Sequence, residues 1–218
     1  MDVEVWWSSI VAADDAALAL LDATERARLG SLDSPADRGR SAVGAALLRV
    51  AVAARLGTDP RDVVVDRTCT ECGRPHGAPR VVGPGSWTGS WTGSRTGSAV
   101  AAPRVSVSHS GLLVVVALSG GSPVGVDVQR EADLPGAAGP AEAAAWVRHE
   151  AGMKLQGAAL AVGDEVHPDA DVVTTPLVAP LDGYAAALAT VGRPGRPVVR
   201  HWPGRGGDHA PDADDGAA

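Results

Sequence analysis

The chain has 218 residues, 45% of them apolar, enough for one large domain or two compact halves. Its formal net charge of −7 excludes the sequence-wide basic field that holds nucleic acid or an anionic membrane. The acidic start Asp2-Val3-Glu4, and the lack of any apolar run reaching about 18 residues, argue against a secretory signal and a membrane span. The expectation is a cytoplasmic protein whose Cys69 and Cys72 are thiols.

Residues 3–7 alternate loosely and predict a strand. Leu18, Leu21 and Leu29 recur near helical spacing, predicting a helix over 12–29 that Gly30 ends. A second helix follows: Ser34 suits the N-cap, Pro35 the first helical position, Asp37 the third, and Gly57 the C-terminal cap. Val43, Leu47, Val50 and Ala54 carry its apolar face. Residues 62–66 predict a short β-branched strand. The tetrapeptides Ser86-Trp87-Thr88-Gly89, Ser90-Trp91-Thr92-Gly93 and Ser94-Arg95-Thr96-Gly97 are far too short for a solenoid, so 83–98 is expected to be an inserted loop. Three strands at 104–108, 112–118 and 124–128, separated by turn residues, predict an antiparallel meander. A helix over 141–160 and strands at 171–178 and 184–191 come next. The Pro-, Gly- and Asp-rich residues 193–218 predict a disordered tail. The order predicts an α+β fold with an N-terminal half, 1–103, and a C-terminal half, 104–192.

Among the residues able to carry chemistry, Asp127 and Gln129 leave one face of a strand while Val126 and Val128 leave the other. An Asp in so apolar a strand needs a partner or a metal, or it accepts turn hydrogen bonds at the strand end. Glu150 and Lys154 lie one helical turn apart, with Trp146 a turn earlier. Such a pair is commonly an exposed helix-stabilising one worth about 0.2–0.5 kcal/mol. Here, however, Lys154 is the only lysine among 19 basic residues, which favours a specific role. Ser108 and His109 are neighbours on a strand and project to opposite faces, so they do not form a hydrolase relay. His109 in its serine-rich turn suits donation to an anion, or a structural role. Cys69-x-x-Cys72 with His76 resembles half of a zinc knuckle, without an evident fourth ligand nearby.

Several segments occur in an order that resembles the stand-alone, surfactin-type 4′-phosphopantetheinyl transferases. They are Asp37-Arg38-Gly39-Arg40 with Leu47-Leu48-Arg49; Cys69-Thr70-Glu71-Cys72-Gly73-Arg74-Pro75-His76-Gly77-Ala78-Pro79-Arg80; and Val105-Ser106-Val107-Ser108-His109-Ser110-Gly111 followed by Val124-Gly125-Val126-Asp127-Val128. Trp146-Val147-Arg148-His149-Glu150-Ala151 with Lys154, and Asp182-Gly183-Tyr184-Ala185-Ala186-Ala187-Leu188-Ala189, complete the set. The resemblance implies two pseudo-symmetric halves of antiparallel sheet plus helices, with coenzyme A in the cleft between them. It also implies a magnesium-dependent transfer of 4′-phosphopantetheine onto an acyl or peptidyl carrier protein by a monomeric enzyme. Carried over by position, Asp127, Glu150 and Gln129 would hold magnesium, with Glu150 and Lys154 catalytic. Arg38, Arg40, Ser108 and His109 would contact coenzyme A, His109 and Arg38 at its 3′-phosphate, with Gly77 and Pro79 near the adenine. The chain departs from the family pattern at Gln129, His149 and Ala78, which replace an acid and two lysines, and in the short interval from Asp127 to Glu150. A non-catalytic coenzyme A-binding protein and a zinc-knuckle interaction protein are the alternatives.

Overall fold

A computed structural model describes residues 2–82, 90–91, 100–135, 139–160, 166 and 170–204. Strand β1 (Val3–Ser9) opens the chain, followed by helices α1 (Asp15–Ala19), α2 (Ala23–Gly30) and α3 (Pro35–Leu56). Strands β2 (Val64–Asp66), β3 (Arg80–Val82), β4 (Ser90–Trp91), β5 (Val100–Ala101), β6 (Arg104–Ser110), β7 (Leu113–Ser119) and β8 (Val124–Arg130) come next. Helix α4 (Pro140–Leu160) and strands β9 (Val172–Pro176), β10 (Tyr184–Val191) and β11 (Val198–His201) complete the chain. The predicted loop 83–98 lies outside the described residues, apart from Ser90–Trp91, which pairs with Val100–Ala101.

The fold is α+β, and its main sheets are ordered β11-β1-β7-β6 and β8-β10-β9. Only the β1–β11 pairing in them is parallel. Period-two alternation distributes their side chains over four layers. Trp6, Val114, Val116 and Leu118 face α3, packing on its Val43, Leu47 and Leu48. Val5, Trp7, Val115 and Ala117 face the second sheet, where Val126, Val128, Ala186 and Leu188 meet them. The outer face of that sheet gives Ala187 and Ala189 to Val147, Ala151 and Leu155 of α4. Leu47, Leu118, Val126 and Leu155 are each fully buried.

Three expectations change. The helix over 12–29 breaks in two, because Asp14 caps α1 through Ala17 N–H and Asp22 forms a reciprocal capping box with Glu25 at the start of α2. The meander is only the β6–β7 hairpin; β8 leaves it to pair with β10, so the two main sheets part after Ser119, not at residue 104. Residues 193–204 of the predicted tail are ordered. There β11 pairs with β1, Trp202 is buried, Trp202 N–H donates to Trp7 O, and the Ser8 hydroxyl donates to Trp202 O. Residues 205–218 of the predicted tail lie outside the described residues.

A serine ladder joins the sheets. Ser106, Ser108 and Ser110, two apart on β6, accept the N–H groups of Val126, Val128 and Arg130 on the edge of β8. Hydroxyls thus satisfy donors that a neighbouring strand would otherwise take.

Arg49 anchors the helical layer. Its side chain is only 3% exposed and donates to Asp22, Glu25 and Val63 O. Arg49→Met would strand Glu25, whose Oε1 is already buried without a partner. Stability is expected to fall by about 3 kcal/mol, the low end for breaking a buried pair because Asp22 still reaches water. Urea unfolding measures it.

Candidate functional site

The glycine at position 125 brings the two chemistry-bearing elements together. A Cβ there would lie 2.0 Å from Ala151 O and 2.6 Å from Leu155 N, so the backbone of α4 rests directly on β8. Two residues along β8, on the same face, is Asp127; flanking the contact on α4 are Glu150 and Lys154. Asp127 is 5% exposed, and its Oδ1 accepts from Ser108 Oγ and from Lys154 Nζ, each at 2.6 Å. The only lysine therefore neutralises the buried carboxylate. Among the described residues, no hydrogen bond engages Asp127 Oδ2 or the Glu150 carboxylate.

These groups open onto a cleft of about 900 Å³. Ser108, His109, Asp127, Gln129, Trp146, Glu150 and Lys154 line it from β6, β8 and α4. Thr24, Glu25 and Arg28 of α2, Gly44 of α3, and Asp66, Arg67 and Thr68 at the end of β2 line it as well. At Gly44 the backbone of α3 packs against β6 and β7, where a Cβ would make ordinary contact with Val107 and Val114 at 3.4 and 3.8 Å.

Six of the ten sequence-derived candidates thus converge: Ser108, His109, Asp127, Gln129, Glu150 and Lys154. The other four do not line the cleft. Arg38 holds the turn before α3 by donating to Leu32 O and Asp33 O, at 2.6 and 3.0 Å. Arg40 donates to Asp37 and to Gly111 O, at 2.5 and 3.1 Å. Gly77 sits behind the cleft wall, its N–H donating to Arg67 O, and Pro79 is not among the lining residues. Gln129 lines the cleft, yet its Nε2 donates to Arg130 O.

Arg28 and Arg67 were missed. Arg28, in the last turn of α2, reads in the sequence as an ordinary helix-end charge. Arg67 follows a short strand and carries no periodic signal. Burial pushes the Arg67 pKa down to about 10, Arg28 adds to the fall, and Glu25 opposes it. Arg67 stays charged at neutral pH but is poorly hydrated and faces a like charge, so an anion in the cleft would relieve both penalties.

His109 responds to the same field. Crowding by surrounding protein is the first cause lowering its pKa below the usual 6.5, followed by the positive charges of Arg40 and Lys154. An anionic ligand prefers the imidazolium, so binding must raise this pKa and take up protons. The affinity of a phosphate-bearing ligand is expected to rise as pH falls from 7.5 through 6.5 toward the lowered pKa (about 3–10-fold for one such group). Calorimetry in buffers of different ionisation enthalpy should show proton uptake that His109→Gln removes. For folding the sign is opposite: with the folded pKa below the unfolded one, the stability this group contributes is complete above about pH 6.5 and declines as pH falls through that value.

Among the described residues, no helix is long and apolar enough to cross a membrane. No protein-family model matches the chain, and no curated protein matches it.

Proposed function

We propose that this protein is a magnesium-dependent 4′-phosphopantetheinyl transferase, which moves the phosphopantetheine arm of coenzyme A onto a serine of an acyl or peptidyl carrier protein and releases 3′,5′-ADP. The observation that carries this reading is the convergence of Asp127, Glu150 and the sole lysine on a cleft that Arg28, Arg67 and His109 also line. A volume of about 900 Å³ suits a ligand of nucleotide-cofactor size. Three cationic or proton-accepting groups suit its two phosphate centres.

The donor set fits magnesium. Asp127 Oδ2 and the Glu150 carboxylate are hard oxygen donors without protein partners among the described residues, and the metal's remaining positions suit phosphate oxygens and water. When bound, the ion would polarise the pyrophosphate and offset the charge that develops there. Arg28 and Arg67 would hold phosphates, and His109 would donate to one. Glu150 would accept the proton of the carrier serine as its oxygen attacks the β-phosphorus. Lys154 would neutralise the departing 3′,5′-ADP. Positioning and electrostatics suffice, without a covalent enzyme intermediate.

Incubation with apo-carrier, coenzyme A and magnesium, followed by mass spectrometry of the carrier, tests this reading. The expected result is a gain of one phosphopantetheine; no gain across a panel of acyl and peptidyl carriers refutes it. One feature favours a second reading, a coenzyme A-binding protein without transfer: Gln129 offers no third carboxylate and turns its amide to Arg130 O. Calorimetric binding of coenzyme A without carrier modification would select it.

A further inference from the structure

The segment between β2 and β3 contains a second cluster that the proposed chemistry does not use. Cys69, Cys72 and His76 each offer a ligand atom, and these atoms lie within 4.8 Å of one another. Cys72 Sγ is 2.9 Å from His76 Nε2. Both cysteines are free thiols; Cys69 is half-buried, while Cys72 and His76 face solvent.

Backbone geometry holds the cluster. Gly73 takes a left-handed φ of 69°, a turn that a side chain would strain, and its N–H donates to Cys69 O at 2.9 Å. Cys69 N–H donates to Arg74 O at 2.8 Å, closing the loop from the other side.

We infer that Cys69, Cys72 and His76 bind one zinc ion, with a solvent molecule in the fourth position, and that this ion fixes the segment backing the cleft wall. Zinc bonds of about 2.3 Å to sulfur and 2.0 Å to nitrogen put tetrahedral ligand atoms roughly 3.5–3.8 Å apart. A spread of at most 4.8 Å therefore needs shifts of only about 1 Å, within reach of exposed side-chain rotamers. Two thiolates and an imidazole favour zinc over magnesium, which prefers oxygen.

The consequence for the cleft follows from connectivity. Arg67 and Thr68, just before Cys69, and Pro75, just before His76, line it. Gly77 packs against the same turn: a Cβ there would lie 3.1 Å from Arg67 O, Thr68 O and Cys69 Cα. An ion tying residue 69 to residue 76 thus closes the loop on which Arg67 is presented. This inference does not rest on transferase activity.

The test uses the reduced full-length protein. Titration with zinc alone should reach one ion per chain, and cobalt substitution should give a thiolate-to-cobalt charge-transfer band. Cys72→Ser should at least halve that band, and His76→Ala should weaken zinc at least about tenfold, no less than loss of a merely supporting group. Circular dichroism checks that both variants fold, and the wild-type titration needs neither. Zinc should also slow amide exchange across 67–79 without changing exchange in α3. Less than half an ion per chain in reduced protein, or zinc binding unchanged in Cys72→Ser, overturns the site. Unchanged exchange across 67–79 overturns its role in the cleft wall.

Discussion

Gly125→Ala should unfold the protein more readily than any substitution of a surface residue, and should abolish carrier modification in whatever fraction stays folded. The added methyl would meet Ala151 O at 2.0 Å and Leu155 N at 2.6 Å, and both are backbone atoms of a helix. No rotamer change can relieve such a contact, so α4 must lift from β8. Overpacking costs about 1–3 kcal/mol where side chains can adjust, and about 3 kcal/mol or more is expected here. For a chain of this size that lowers Tm by about 6–12 °C. The chemical consequence is more specific than the loss of stability. Lifting the helix separates Glu150 and Lys154 from Asp127, whose 2.6 Å ion pair depends on the close approach. Thermal denaturation and carrier mass spectrometry read the two effects independently. A variant with unchanged Tm and full activity would falsify the account of how this helix is seated.

Asp127→Asn separates electrostatics from structure. The amide oxygen can still accept from Ser108 and Lys154, so the fold should survive, with Tm changed by no more than a few degrees. A formal charge is lost, however, and with it the hard oxygen ligand that the proposed reading assigns to magnesium. Transfer is expected to fall about 10²–10³-fold, the scale for removing one electrostatic stabiliser of a transition state. Rates measured over a range of magnesium concentrations should also show a higher requirement for the ion. If Asp127 served only as counter-ion to Lys154, the result would be the reverse: a lower Tm with transfer within a few-fold of normal.

Much of this architecture was legible locally. Helix α3 begins at Pro35 after Ser34, whose hydroxyl accepts from Asp37 N–H, and ends at Gly57 with φ 68°, all from cap residues visible in the sequence. Spacing placed Asp127 and Gln129 on one strand face and Glu150 and Lys154 on one helix turn. The break between α1 and α2 was harder to read, because leucine periodicity crosses it while the decisive signal is the Asp22–Glu25 capping box. Strand β11 was hidden by the Pro- and Gly-rich residues around it. Its order comes from pairing with β1 and from burial of Trp202, contacts that span nearly the whole chain.

The sequence by itself determined which residue types could hold a divalent ion, how far apart they lie along their own elements, and that the chain is α+β. Only the tertiary structure decided that β8 leaves the hairpin before it, that Gly125 seats α4 upon it, and that Arg28 and Arg67 line the cleft while Arg38 and Arg40 do not. The reason is one of range. Caps and periodicities act within a few residues, whereas sheet partners and side-chain convergence depend on which apolar faces bury one another across long separations.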